Sequence, residues 1–483
     1  MEKNDVRNRH KGEQKNENGV VRQAEEKKDE EFMIRESPLT ELIDSSLHMR
    51  AIYHIFVVIL VILFFDTVIY DLVEKGKINI GVTILVAGFG EVQRGIKLWL
   101  YVMSVALMFY PLLRIYAGIG SFTRKYPVLR PTVVVLGIAG VIAVVVTLAA
   151  VPLYELARKH LALGSSTAVT CEMFRLIMKL VAVAKACGPR CLNGTPLPSF
   201  KHYVYFLFAP TLLYRDQYPR TKTIRWGKVM FHFLEVAAII FYCCFLGERF
   251  IIPYWSDYGK QKTVEAGTIV RSMFACVLPG MISFLCGFYC LLHAWQNAWS
   301  EMMTFGDRLF YEYLEDWLLD SRHCPWWITS RFSLYYKRWN RVVYSWLRDH
   351  IYLPIAPRTG RSLATVIVFF ISSVAHEVIL ALSFGFFYPV LLIEFGILGV
   401  MMVPLTASCG RRFPHAFNLI MWLCFFIGNG LLWSLYPMEY FARKNCPPSE
   451  NDSFFVPKSW TCPEMILKPN WTFQNPFQII NQS

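Results

Sequence analysis

The stretch Val366-Ile367-Val368-Phe369-Phe370-Ile371-Ser372-Ser373-Val374-Ala375-His376-Glu377-Val378-Ile379-Leu380-Ala381 sets an imidazole and a carboxylate inside a run of branched and aromatic apolar residues. Ionisable groups are expensive in hydrocarbon, so in such a run they face a bundle interior or a cavity and point to chemistry. Read as a helix, Ser372, His376 and Ser383 fall on one narrow face. A hydroxyl four residues before the ring would hold it in one tautomer. The same residues also fit a core histidine bonded to a neighbouring carbonyl.

Working outward, strongly apolar segments recur at about 51 to 72, 98 to 117, 132 to 153, 227 to 252, 267 to 293, 363 to 385, 386 to 407 and 416 to 437. Each approaches the roughly twenty residues that a spanning helix needs. Weaker runs at 79 to 90, 171 to 187 and 203 to 213 are short or interrupted, Pro210 breaking the last, and read as re-entrant or interfacial helices. The chain of 483 residues, 54% hydrophobic and 16% aromatic, is therefore an all-α polytopic membrane protein. Its net charge of +13 is interspersed among the spans. That pattern fits cytosolic loop bias and excludes nucleic acid as a partner. Cysteines such as Cys243, Cys276 and Cys286 lie in apolar spans, and no Cys-x-x-Cys spacing appears, so no metal site is expected.

Three parts follow: a polar, mostly disordered tail over 1–46, a multi-span membrane domain over 47–445 and a terminal segment over 446–483. The tail lacks the order of a secretory signal, so the first span doubles as the targeting signal. Lys27, Lys28 and Arg35 near that span favour a cytosolic N-terminus. Between Trp295 and Ser362 many aromatics accompany many cations, among them Trp326, Trp327, Lys337, Arg338, Arg341 and Arg348. These suit a cytosolic headgroup boundary, or a phosphorylated substrate. Cys446 and Cys462 bracket a polar segment holding the sequon Asn451-Asp452-Ser453, with Asn470-Trp471-Thr472 beyond. Glycan acceptors beside a cysteine pair that closes a short loop fit a lumenal C-terminus. Opposite sides for the two ends require an odd number of crossings, so a ninth span must lie among the weak runs.

Several ordered segments resemble one family. Phe206-Leu207-Phe208-Ala209-Pro210-Thr211-Leu212-Leu213-Tyr214-Arg215, Tyr218-Pro219-Arg220, Tyr335-Tyr336-Lys337-Arg338-Trp339-Asn340, Val374-Ala375-His376-Glu377, Phe387-Tyr388-Pro389-Val390 and the Cys446 to Cys462 loop are similar to those of sterol O-acyltransferases of the membrane-bound O-acyltransferase superfamily. The likeness runs from about Met49 to Cys462. It implies nine transmembrane helices, a homodimer or homotetramer in the endoplasmic reticulum, and transfer of a fatty acyl group from acyl-CoA to the 3β-hydroxyl of cholesterol or another sterol. Acyl-CoA is then a co-substrate and no cofactor is needed. Carried over residue by residue, the likeness makes His376 and Asn340 catalytic and assigns Tyr336, Lys337, Tyr352, Arg361 and Ser372 to the CoA part of the donor. One contact that is usually a histidine is Tyr344 here.

The family's continuous Phe-Tyr-x-Asp-Trp-Trp-Asn block is interrupted. Phe310-Tyr311-Glu312 is followed by residues 313–324 before Pro325-Trp326-Trp327-Ile328, so the Asp is replaced by Pro325 or displaced to Asp316, and the Asn is replaced by Ile328. Within the insert, Glu315-Asp316-Trp317-Leu318 imitates the missing piece. The interruption reads as a retained exon boundary or a lineage-specific insertion.

Acyl transfer to an alcohol needs a base near the hydroxyl, a donor aimed at the developing oxyanion, and exclusion of water. An imidazole is too weak to ionise a sterol alcohol beforehand, so it takes the proton as the oxygen attacks. No Gly-x-Ser-x-Gly elbow is visible, and the cysteines lie in apolar surroundings, so direct displacement is favoured over an acyl-enzyme. Asn340 can donate its amide to the acyl carbonyl, or can simply cap a helix. Two alternatives stand: diacylglycerol as the acceptor, or a transporter or catalytically impaired sterol-binding membrane protein, which the interrupted block would favour. A chain in which Glu312 runs directly into Asp-Trp-Trp-Asn is expected to form at least as much steryl ester as the natural sequence. A restored chain that is inactive where the original works would rule out the exon reading.

Overall fold

The computed structural model describes residues 32–78, 80–312, 325–449 and 452–466. The insert with Asp316, residue Asn451 of the first terminal sequon and the whole of the second sequon lie outside these residues. Eight helices are long and apolar enough to cross a bilayer: Leu47–Lys75, Val92–Lys125, Pro127–Arg158, Trp226–Trp255, Ala266–Met302, Arg361–Phe384, Val390–Arg412 and Pro414–Asn445. They fall on the eight strong runs of the sequence. The first is peripheral, since only 6% of its apolar window is buried and Ile52, Ile55, Val58 and Ile62 point outward, as a lipid-facing helix should.

The weak run at 171 to 187 differs from its expectation. It belongs to one continuous helix, Leu163–Asn193, whose 31 residues are about 46 Å long at the usual helical rise and suffice to cross. Its hydropathy is low because its polar groups face protein instead of lipid. It packs against Val92–Lys125, Arg130–Arg158 and Arg361–Phe384, with Ser165, Ser166, Thr170 and Lys179 all buried. The other weak runs hold only short helices, Val82–Gly88 and Phe200–Phe208.

Lys179 shows how a buried amine is accommodated there. Its side-chain nitrogen donates to the carbonyls of Phe206 (2.5 Å) and Ala209 (2.7 Å) and sits 4.7 Å from the Phe206 ring centroid. Those carbonyls end the Phe200–Phe208 helix just before Pro210, where the backbone has lost its helical partners. The same region forms the main core, in which Val102, Ala106 and Phe109 meet Met173, Leu176, Leu180 and Val183 beneath Tyr203 and Phe206.

Phe32 to Ser46, which the sequence groups with the tail, are docked on the membrane body. Phe32 packs edge-on against Tyr218 (5.6 Å) and Phe305 (6.1 Å), and Ser37 is fully buried against His293 and Tyr311. Glu36 joins a four-member ion network with Arg225, Arg308 and the buried Glu301. Burial alone would raise the pKa of Glu36, but the neighbouring Arg308 and Arg225 outweigh it and hold the carboxyl below its ordinary range. Sparse hydrophobicity hides this docking, because ion pairs and one aromatic ring carry much of it, with only Pro38 and Leu42 buried beside them in the short helix Pro38–Ser45. At the opposite end, the sulfurs of Cys446 and Cys462 lie at bonding distance, and Glu464–Ile466 pairs in parallel with Thr263–Glu265.

Lys179→Met should orphan the buried Phe206 carbonyl at a cost of about 1–3 kcal/mol, while the Ala209 carbonyl keeps the Thr211 N–H (2.8 Å). Thermal unfolding in detergent should therefore begin at lower temperature than for the unaltered protein; an unchanged transition would rule out this bracing role.

Candidate active site

His376 lies midway along the helix Arg361–Phe384 and keeps an accessible ring, while its neighbour Glu377 is almost completely buried. Successive residues on a helix point about 100° apart, so anchoring one aims the other. The Glu377 carboxylate accepts from the Tyr436 hydroxyl (3.1 and 3.2 Å) and from the backbone N–H of Leu392 (3.0 Å). One carboxylate thereby ties three membrane elements together and fixes the rotation of the histidine helix.

His376 Nδ1 lies 2.7 Å from the carbonyl oxygen of Ser372. A carbonyl only accepts, so Nδ1 carries the hydrogen and the neutral ring presents a lone pair at Nε2. The tautomer is thus held by the backbone of Ser372, in place of the hydroxyl expected from the sequence. Ser383 is turned elsewhere, donating to Ile379 and meeting Thr167. Phe395 closes on the imidazole with ring centroids 5.6 Å apart, nearly perpendicular. It stands in a widened turn, Glu394–Leu398, of the type often found beside functional groups.

That aromatic contact continues toward the loop expected to be cytosolic. Tyr336 lies 5.4 Å from Phe395 and 4.6 Å from Phe369, which itself belongs to the histidine helix. Burial raises the pKa of the Tyr336 phenol, so Tyr336 stays neutral and acts as part of the wall. Asn340 stands where the helix Phe332–Trp339 breaks and Arg341–Leu347 begins. Its Oδ1 accepts from the Val343 N–H at 3.1 Å, the cap that the sequence allowed. This bond uses the oxygen and leaves the amide hydrogens to donate. Among the described residues no hydrogen bond joins Asn340 to His376.

Both flanks of the interrupted block return to one aromatic cluster. Phe310, Tyr311 and Trp326 are buried, and Trp326 meets Phe288 (5.0 Å) and Trp339 (4.7 Å). The Trp327 carbonyl accepts from Asn418 and Trp422, both at 3.1 Å. Arg341 donates its backbone N–H to the Phe310 carbonyl, and Glu312 donates its own to the Arg338 carbonyl, so the segment before the insert clamps the one that carries Asn340. Glu312 also forms ion pairs with Arg338 and Arg341.

Lys337 opens into a cleft with Tyr344, Arg215, Arg341 and Arg348. The residues Tyr352, Arg361 and Ser372 do not line it. Tyr352 is half-buried in the turn Arg348–Tyr352, and Arg361 is exposed at the start of the histidine helix. Ser372 contributes its carbonyl to His376. At 1.5 Å per residue, Arg361 stands about 22 Å from His376 along the helix. Sequence reasoning named Glu377 without its partner Tyr436, 59 residues away, and gave no role to Phe395, which is one more phenylalanine in an apolar run.

A sequence profile of the membrane-bound O-acyltransferase family matches residues 141–437. Sterol O-acyltransferase 2 of Homo sapiens is 33% identical over 442 residues, covering 89% of this chain and 80% of that protein. Sterol O-acyltransferase 1 of Mus musculus is 33% identical over 445 residues, covering 89% and 79%. On the profile, the extent of these matches and the helical architecture around His376, the chain belongs to the membrane-bound O-acyltransferase family, on its sterol O-acyltransferase branch.

Proposed function

We propose that this protein transfers a long-chain fatty acyl group from acyl-CoA to the 3β-hydroxyl of a sterol, in the endoplasmic reticulum membrane, by direct displacement. The observation that carries the reading is the 2.7 Å bond from His376 Nδ1 to the Ser372 carbonyl, which leaves a basic Nε2 on an accessible ring within a membrane helix. As the sterol oxygen attacks the thioester carbonyl, Nε2 takes the hydroxyl proton. The amide of Asn340 donates to the oxyanion that develops. Collapse breaks the carbon–sulfur bond, the CoA thiolate receives the proton from His376, and steryl ester and free CoA leave. No further cofactor enters this scheme.

Cations at the cleft of Lys337, Arg215 and Arg348 suit the phosphates of CoA, and the exposed Arg361 extends that set toward the histidine helix. The acyl chain and the sterol stay in apolar surroundings throughout. Burial at about 0.8 kcal/mol per methylene gives affinity with little discrimination, so acyl preference should be broad. With Leu163–Asn193 as the ninth crossing, a cytosolic N-terminus and a lumenal disulfide loop are consistent with each other. Assembly as a homodimer or homotetramer belongs to the same proposal.

His376→Ala should reduce esterification to background while the protein still inserts and assembles, as read from product formation and size-exclusion profiles; retained turnover would eliminate the proposed base. Membranes given radiolabelled acyl-CoA with a sterol or with diacylglycerol should label steryl ester. Label in triacylglycerol alone would move the chain to the other acceptor.

A further inference from the structure

The cleft that holds Lys337 is completed by Phe32 and Arg35, from the segment before the first membrane helix. Among the described lining residues the one acid is Asp307, in a wall that also presents Arg215, Lys337 and Arg348. Asp307 is nearly buried, and Arg35 meets it with two parallel contacts, Nε to Oδ1 at 2.8 Å and Nη2 to Oδ2 at 3.1 Å. Backbone bonds set this geometry. The Met33 N–H donates to Asp307 (3.3 Å), the Arg35 N–H donates to Gly306 (2.9 Å), and Asp307 accepts from Leu309 N–H (3.1 Å). Two neighbours secure the segment further, since Phe32 is wedged beside Tyr218 and Glu36 is bound by Arg225 and Arg308.

A bare carboxylate in a cleft that receives phosphates would oppose them, because low-dielectric walls focus the field of each charge lining them. We infer that Arg35 is a positioning residue of the acyl-CoA mouth, neutralising Asp307 so that the described wall turns no unpaired carboxylate toward the phosphate-bearing end of the donor. The inference rests on the proposed use of acyl-CoA and adds a role for a segment outside the spans. Arg35 acts on the donor through Asp307, with its planar fork matched to both carboxylate oxygens.

The test compares the full chain with Arg35→Gln, Arg35→Lys, Asp307→Asn and the double variant Arg35→Gln/Asp307→Asn, in equilibrium binding of radiolabelled palmitoyl-CoA and in steady-state kinetics. Arg35→Gln should raise the Kd and KM for palmitoyl-CoA about two- to fivefold, the scale of a partly exposed charge pair, while kcat stays within about twofold. Arg35→Lys, which keeps the charge, should lose less than Arg35→Gln. Removing the carboxylate as well should restore KM toward the original value, and Asp307→Asn alone should not raise it. If the double variant is as impaired as Arg35→Gln, the segment is merely structural and the inference is overturned. An unchanged KM in Arg35→Gln with normal turnover overturns it alone, whereas an unaltered chain that binds no palmitoyl-CoA overturns the acyl-donor reading with it. Should Arg35→Gln fail to assemble, the double variant and Arg35→Lys still decide, since restored binding in the former requires the charge argument.

Discussion

A carboxylate inside hydrocarbon must be paired, and the pairing of Glu377 with Tyr436 and the Leu392 N–H is the constraint on which the site depends. The bond joins the histidine helix to the two helices that follow it in the chain, and it does so one residue from the ring proposed as the base. Apolar contacts in a membrane have no water to expel and so discriminate weakly between rotations of a helix. A hydrogen-bonded carboxylate discriminates strongly, because any other rotation would strand it unpaired. The aim of His376 follows from the fixing of Glu377.

The local bond to Ser372 does the complementary job of choosing the tautomer. Together the two interactions set ring direction and protonation pattern before any substrate arrives, the kind of preorganisation that general-base catalysis rewards. Phe395 and Tyr336 then extend this centre by aromatic packing to the helix that carries Lys337. The site is thus built from long-range contacts, whereas its identity rests on residues that are close in sequence.

That division explains what the sequence disclosed. The eight apolar spans were legible because lipid-facing helices must be apolar throughout, and His376 stood out because it breaks that rule. Leu163–Asn193 was under-read for the opposite reason. Glu172, Arg175 and Lys179 lower the hydropathy of its 171–187 stretch, although Arg175 is paired with Glu172 and Lys179 is buried in protein, so a scale calibrated on lipid exposure scores it as interrupted. The docking of Phe32 to Ser37 was invisible because its partners, Tyr218, Asp307, Arg308 and Tyr311, come from other parts of the chain. Asn340 carried two readings, cap and oxyanion donor, and its geometry accommodates both, since the cap occupies only the oxygen.

The interrupted aromatic block has an architectural consequence. Glu312 is secured by Arg338 and Arg341, and Trp326 by Phe288 and Trp339, so the two edges of the interruption are both fixed on the surrounding fold, in part by the same helix Phe332–Trp339. Lengthening a connection between fixed points costs only about 0.6 kcal/mol for each doubling. This junction is therefore a position where connections of different length can be accommodated while Glu312 and Trp326 keep the same partners.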